Sequence, residues 1–247
     1  MSLKNGCDNV EVDNSNVNQA WYLNTSGSLR AAVLGVNDGL VSNFSLVMGV
    51  SGATDNINLV LLSGIAGLLA GALSMATGEY LSMRSQKEVY EYQIERENLR
   101  IRTEPKEVEE DISSIYRAKG LSSAESESIS HQIMAKMDVA LDTITREKLG
   151  LNPSQLGSPW GAALSSFAAF AFGASVPIIP YFFIDKTFVV LASAILSCLA
   201  LIIVGGSLAG LTKNSIPWGG LRMLALGGVA ATVTYAVGTI VGISISI

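Results

Sequence analysis

The sequence is poor in charge, nearly without histidine and short of cysteine. Asp, Glu, Lys and Arg make up 15% of its 247 residues, where a soluble domain carries about 25%. Hydrophobic residues reach 49% and the mean hydropathy is +0.41, which argues against an ordinary cytosolic enzyme. The two cysteines, Cys7 and Cys198, are far apart and show no CxxC spacing, so neither a disulfide framework nor a zinc site is expected. No nucleophile stands with a base, and the 24 glycines form neither a Walker nor a Rossmann pattern. The chain is therefore not read as an enzyme, and no prosthetic group is expected. A formal net charge of −5 gives no support to a nucleic-acid partner.

The few charges present are unevenly placed. Residues 84–155 hold 11 of the 16 Lys and Arg and 14 of the 21 Asp and Glu. This is the pattern of a membrane protein with one polar insert. A helical crossing needs about 20 mostly apolar residues, and five stretches qualify: 29–51, 59–83, 160–183, 187–211 and 218–246. The expected fold is thus all-α and polytopic, with five transmembrane helices and a small three-helix insert between the second and third. Four regions follow: a polar N-terminal tail over 1–26, helices one and two over 27–84, the insert over 85–155, and helices three to five over 156–247. The Lys- and Arg-rich insert is assigned to the cytoplasm together with the N-terminus, and the basic-free 52–58 loop to the other side.

Within the insert, Ser85 to Arg102 lacks Gly and Pro and carries Lys87 and Glu91 at (i, i+4), so the second membrane helix is expected to run on into it. Pro105 suits the first turn of the next helix and Gly120 its C-terminal cap. A third helix is expected over Ser123 to Leu149, with Ile129, Ile133, Met137, Ala140, Leu141 and Ile144 as its apolar stripe. Glu107, Glu110 and Asp111 share one helical region, and Glu97 sits on the preceding helix. These four carboxylates are either a divalent-metal site or a solvated acidic face.

Two ionisable residues lie deep in predicted spans, Asp38 in the first and Glu79 in the second. Such groups are costly in a bilayer and usually functional. Counted from the hairpin near residue 54, Asp38 and Met75 differ in depth by only about 6–8 Å. Gly67, Gly71, Met75 and Glu79 form one (i, i+4) row, in which the glycines suit helix packing. A carboxylate beside a thioether pairs a hard with a soft ligand, which suits Fe²⁺ better than Mg²⁺ or Ca²⁺. The alternatives are a gap-filling Met75 and a Glu79 that merely reaches water.

The stretches LRAAVLGVNDGLVSNFSLVMGVSGA (Leu29 to Ala53) and AGLLAGALSMATGEYLSMRSQ (Ala66 to Gln86) closely resemble the first two spans of the vacuolar iron transporter family. The resemblance continues through the insert, its closing Leu149-Gly150-Leu151 and the later spans. It implies a homodimer with five spans per subunit that moves Fe²⁺, often also Mn²⁺, out of the cytosol in exchange for protons. It also implies an ion path at the dimer interface, with Asp38 of the NDG motif and Met75 of the SM motif as ligands. Glu79, in the MATGEY form that looks like the bacterial and archaeal branch, is the implied proton-linked carboxylate together with Asp38.

For the insert, the resemblance implies acidic metal ligands at Glu97, Glu107 and Glu110, with Glu147 as a fourth candidate. Glu147 lies one place before another expected acid, where this chain has Lys148, and Arg100 stands at a further expected acid. The membrane implied is the plasma membrane in a prokaryote and the vacuolar membrane in a eukaryote. Two other functions fit parts of the sequence. One is a membrane-anchored metal sensor or scaffold, which has no use for Asp38 in mid-span; the other is a passive divalent-cation channel, which would lack a pH dependence.

Overall fold

A computed structural model describes residues 26–151 and 157–245, and every regular element among them is a helix. In chain order these are α1 (Ser26–Ala53), α2 (Ile57–Thr103), α3 (Pro105–Ala118), α4 (Ser123–Met134), α5 (Met137–Glu147), α6 (Pro159–Ser175), α7 (Pro180–Phe183), α8 (Lys186–Leu211) and α9 (Ile216–Ile245). The polar tail expected over 1–26 lies outside the described residues except for Ser26, where α1 begins. Four helices are long and apolar enough to cross a membrane: Leu29–Ala53, Ile57–Thr103, Thr187–Leu211 and Ile216–Ser244. Their outer faces expose Leu62, Leu73, Phe188, Ile203, Val229 and Ile240, side chains that suit lipid. The chain is a polytopic integral membrane protein.

The stretch expected to cross as one helix over 160–183 is interrupted. α6 ends at Ser175, residues 176–179 form turns, and α7 occupies Pro180–Phe183. Pro177 and Pro180 fall in this stretch, and proline lacks the N–H that would continue the ladder. With 17 residues, α6 is about 25 Å long, short of the roughly 30 Å hydrocarbon layer. It is packed against both α1 and α2.

The bundle is organised around α1, which touches α6, α9, α2 and α8. The approach is close because glycines meet backbone. A Cβ on Gly39 would overlap the Phe170 carbonyl of α6, one on Gly173 the Val36 carbonyl of α1, and one on Gly238 of α9 the Gly49 carbonyl. Leu40, Phe44, Val47 and Met48 of α1 then form the main core with Val60, Ile178, Tyr181, Val189 and Leu201. Polar groups are tied across the same seams. Asn43 Nδ2 donates to the Ala174 carbonyl at 2.6 Å, Thr234 Oγ1 to the Ser45 carbonyl at 2.7 Å, and the Ser51 and Tyr181 hydroxyls share a 2.7 Å bond.

Asn56 caps α2 by accepting from the Asn58 N–H at 3.0 Å. α2 then runs for 47 residues, about 70 Å, through the bundle and into the insert as expected. α3 starts at Pro105, and Gly120 just beyond it has φ +100. The helix expected over Ser123 to Leu149 is instead two, α4 and α5, broken at Ala135 and Lys136, where Lys136 is extended at φ −128 and ψ 115. The insert is thus the end of α2 plus three further helices. A single straight helix of that length would span about 40 Å and carry one end off a small core. The break lets Ala140 and Ile144 reach Ile101, Val108 and Ile112, with Ile133 and Met134 packed alongside. Met137, expected in that core, sits at the break and is 37% exposed.

Replacing Gly39 or Gly238 with Ala is expected to cost about 1–3 kcal/mol through overpacking and to lower the thermal midpoint of the detergent-solubilised protein. Gly228 has nothing within 4 Å of a Cβ position; Gly228→Ala should be neutral or raise the midpoint, since Ala is favoured over Gly in a helix by up to about 1 kcal/mol.

Candidate functional site

The antiparallel register of α1 and α2 is set by three contacts. A Cβ on Gly64 would meet Val47, one on Gly67 would meet Leu46 and lie 2.9 Å from Asn43 Oδ1, and Arg30 Nη2 lies 3.8 Å from Glu79 Oε1. In this register Met75 falls within about one helical turn, roughly 5 Å, of Asp38 in depth. The two side chains meet different surroundings. Asp38 is exposed on a stripe of α1 with Leu34, Ser42 and Leu46, and among the described residues it has no ion-pair partner. Met75 is half-buried and packs against the cluster of Ala72, Phe170 and Ala174.

Glu79 is more enclosed. Its side chain is 16% exposed, its Oε1 has no hydrogen-bond partner, and Arg30 stands beyond hydrogen-bond reach. Arg30 is nonetheless the cation within 4 Å of it among the described residues. Gly67 and Gly71 face different helices: Gly67 lies under Leu46 and Asn43 of α1, and Gly71 under the ring of Phe170 of α6. Both give α2 its close fit within the subunit.

In the insert, most of the expected carboxylates are paired with cations. Glu97, 5% exposed, accepts from Arg100 Nη1 at 2.9 Å and lies 3.8 Å from Lys148 Nζ. Asp111 Oδ2 accepts from Lys148 Nζ at 2.6 Å and Arg100 Nη2 at 3.2 Å. Glu110 pairs with Arg117, Glu147 with Lys119, and Glu107 is exposed. The lone histidine, His131, is exposed and bonds Glu109 at 3.1 Å. No three His, Cys, Asp or Glu side chains among the described residues are grouped closely enough to hold a metal ion.

The family model of the VIT family matches residues 29–239. The chain belongs to the VIT family. Within that family it is similar to "Vacuolar iron transporter homolog 3" of Arabidopsis thaliana, 33% identical over 95% of this chain and 93% of that protein. It is also similar to "Vacuolar iron transporter" of Acanthamoeba castellanii, 32% identical over 87% of this chain and 79% of the relative. "Vacuolar iron transporter 1" of Eucalyptus grandis is 31% identical over 85% and 86%. The VIT match takes in Asp38, Met75, Glu79 and the whole insert.

Two residues of this VIT chain were not read from sequence as part of the site. Asn43 is 2% exposed and joins α1 to α6, while its Oδ1 faces Gly67 and has no hydrogen-bond partner. An asparagine inside an apolar run was the available signal. Arg30 reads from sequence as a side chain reaching for the membrane surface, and nothing along the chain links it to Glu79.

Although burial alone would raise it, the carboxyl of Asp111 is held below its usual range by Lys148 and Arg100. Its folded value is depressed, so its contribution to stability is present above the unfolded value of about 3.9 and is lost as pH falls through the lower folded value. Hydrogen exchange of the insert between pH 5 and pH 2.5 should therefore lose protection on the acid side, and Asp111→Asn should flatten that loss.

Proposed function

We propose that this protein is a divalent-metal transporter that moves Fe²⁺, and also Mn²⁺, out of the cytosol in exchange for protons, along a path between two copies of the chain. The observation that carries this reading is Asp38, an exposed carboxylate in the middle of an apolar crossing with no partner in its own subunit among the described residues. Such a group is not left facing lipid. A two-fold axis beside the Leu34, Asp38, Ser42 and Leu46 stripe would cover it and bring two copies of Asp38 and Met75 to one seam. Carboxylate and thioether together favour a borderline ion over Mg²⁺ or Ca²⁺. The names of the relatives agree in naming iron.

In this reading α6, its turn and α7 form the third of five crossings, with the insert in the cytoplasm and the C-terminus outside. Metal enters from the insert end past Glu79, where its charge takes over the role of Arg30. It gives up part of its water shell to Asp38 and Met75, and leaves at the 54–56 hairpin. Protons return by binding the carboxylate oxygens the metal has vacated. Competition of metal and proton for the same atoms is sufficient for coupling, and no separate proton wire is required.

The test is metal uptake into proteoliposomes, with Fe²⁺, Mn²⁺, Zn²⁺ and Ca²⁺ offered singly, with and without a pH gradient. Gradient-stimulated Fe²⁺ or Mn²⁺ flux should fall to background in Asp38→Asn while the dimer persists on size-exclusion chromatography. Native flux in that variant would sink the assignment. Flux indifferent to the gradient would mean a channel, and no flux from a folded wild-type dimer would mean a sensor or scaffold. Met75→Leu is expected to narrow the preference for Fe²⁺ over Ca²⁺ more than it slows Fe²⁺ itself.

A further inference from the structure

The insert holds a charge cluster that membrane transport leaves unexplained. Glu97 comes from the end of α2, Asp111 from the middle of α3, and Lys148 caps α5. Arg100, on α2 one turn beyond Glu97, sits among them. Its Nη1 donates to Glu97 Oε2 at 2.9 Å and its Nη2 to Asp111 Oδ2 at 3.2 Å. Lys148 Nζ donates to the same Asp111 oxygen at 2.6 Å and stands 3.8 Å from Glu97 Oε1. Glu104, half exposed at the rim, adds a 3.5 Å contact to Arg100 Nε. Each inner carboxylate therefore already faces two cations.

Two carboxylates held this close on separate helices would repel, and they need positive charge between them. A divalent cation is one way to supply it; two fixed basic side chains are another. Arg100 cannot lose its proton in a protein, and its planar fork reaches both acids at once. A divalent ion arriving at Glu97 would find its oxygens engaged and two positive charges beside it. The cluster lies beside the core of Ile101, Val108, Ile112, Ala140 and Ile144, and it joins the three helices that build that core.

We propose that Glu97, Arg100, Asp111 and Lys148 form a metal-free lock, in which the guanidinium and the ammonium supply the charge that a divalent cation would otherwise bring. The insert keeps its fold in the presence of chelator and takes no divalent metal at Glu97 or Asp111. The same four positions are a latent metal site: Arg100→Glu with Lys148→Glu would leave four carboxylates facing one another.

The experiment uses the full chain in detergent with Mn²⁺ as probe, in an Asp38→Asn background so that metal at the membrane seam does not enter the count. Hydrogen exchange over residues 97–148 should be the same in EDTA and in excess Mn²⁺, and Glu97→Gln should leave the Mn²⁺ bound per chain in equilibrium dialysis unchanged. The double variant should lose protection in EDTA, regain it with Mn²⁺, and bind one more ion per chain. Protection that rises with Mn²⁺ without changes to the insert, or a bound ion lost on Glu97→Gln, would overturn the proposal. If the double variant does not fold, the comparison of EDTA with Mn²⁺ and the Glu97→Gln count still decide it.

Discussion

Much in this molecule depends on how closely α1 can approach its neighbours. Lipid is as apolar as the helices themselves, so little hydrophobic force drives one crossing onto another, and close packing and interhelical hydrogen bonds must hold the bundle together. Gly39 and Gly173 let α1 and α6 touch backbone to backbone, and Gly49 and Gly238 do the same for α1 and α9. Once the backbones are that close, Asn43 can reach the Ala174 carbonyl and Thr234 the Ser45 carbonyl. The stripe that carries Asp38 is the part of α1 left exposed once these seams are made.

The chain treats its acids in two opposite ways. In the insert, Glu97 and Asp111 are placed against Arg100 and Lys148, and their charge is cancelled within the subunit. In the membrane, where cancellation matters more because water is absent, Asp38 has no such partner among the described residues and Glu79 has Arg30 only at 3.8 Å. A protein that needed only stability would put its cations where the dielectric is lowest. In the proposed mechanism, leaving the membrane acids weakly compensated keeps their oxygens open to an incoming ion.

Four of the five expected spans were legible as long apolar helices, because hydropathy is carried by each residue and its near neighbours along the chain. Pro105 and Gly120 marked the ends of α3 for the same local reason. Asp38 and Glu79 stood out as ions in apolar runs. The break at Lys136 was not legible, since the apolar period runs through it and only the position of the small core requires it. Nor were the ion pairs of Glu97 with Arg100 and Lys148 and of Glu110 with Arg117 legible, because spacing along a helix says nothing about which cation lies across from it.

Local pattern therefore settled the all-helical class and the long apolar helices, and it drew attention to Asp38 and Glu79 as ions in apolar runs. Tertiary structure alone decided that Gly67 and Gly71 serve two different helices, that Arg30 stands by Glu79, that Asn43 joins α1 to α6, and that Arg100 and Lys148 fill the acidic centre of the insert. Each of these is a meeting between residues that depends on the angle and distance at which two helices pack. Those are properties of the assembled bundle, which no window along the chain contains.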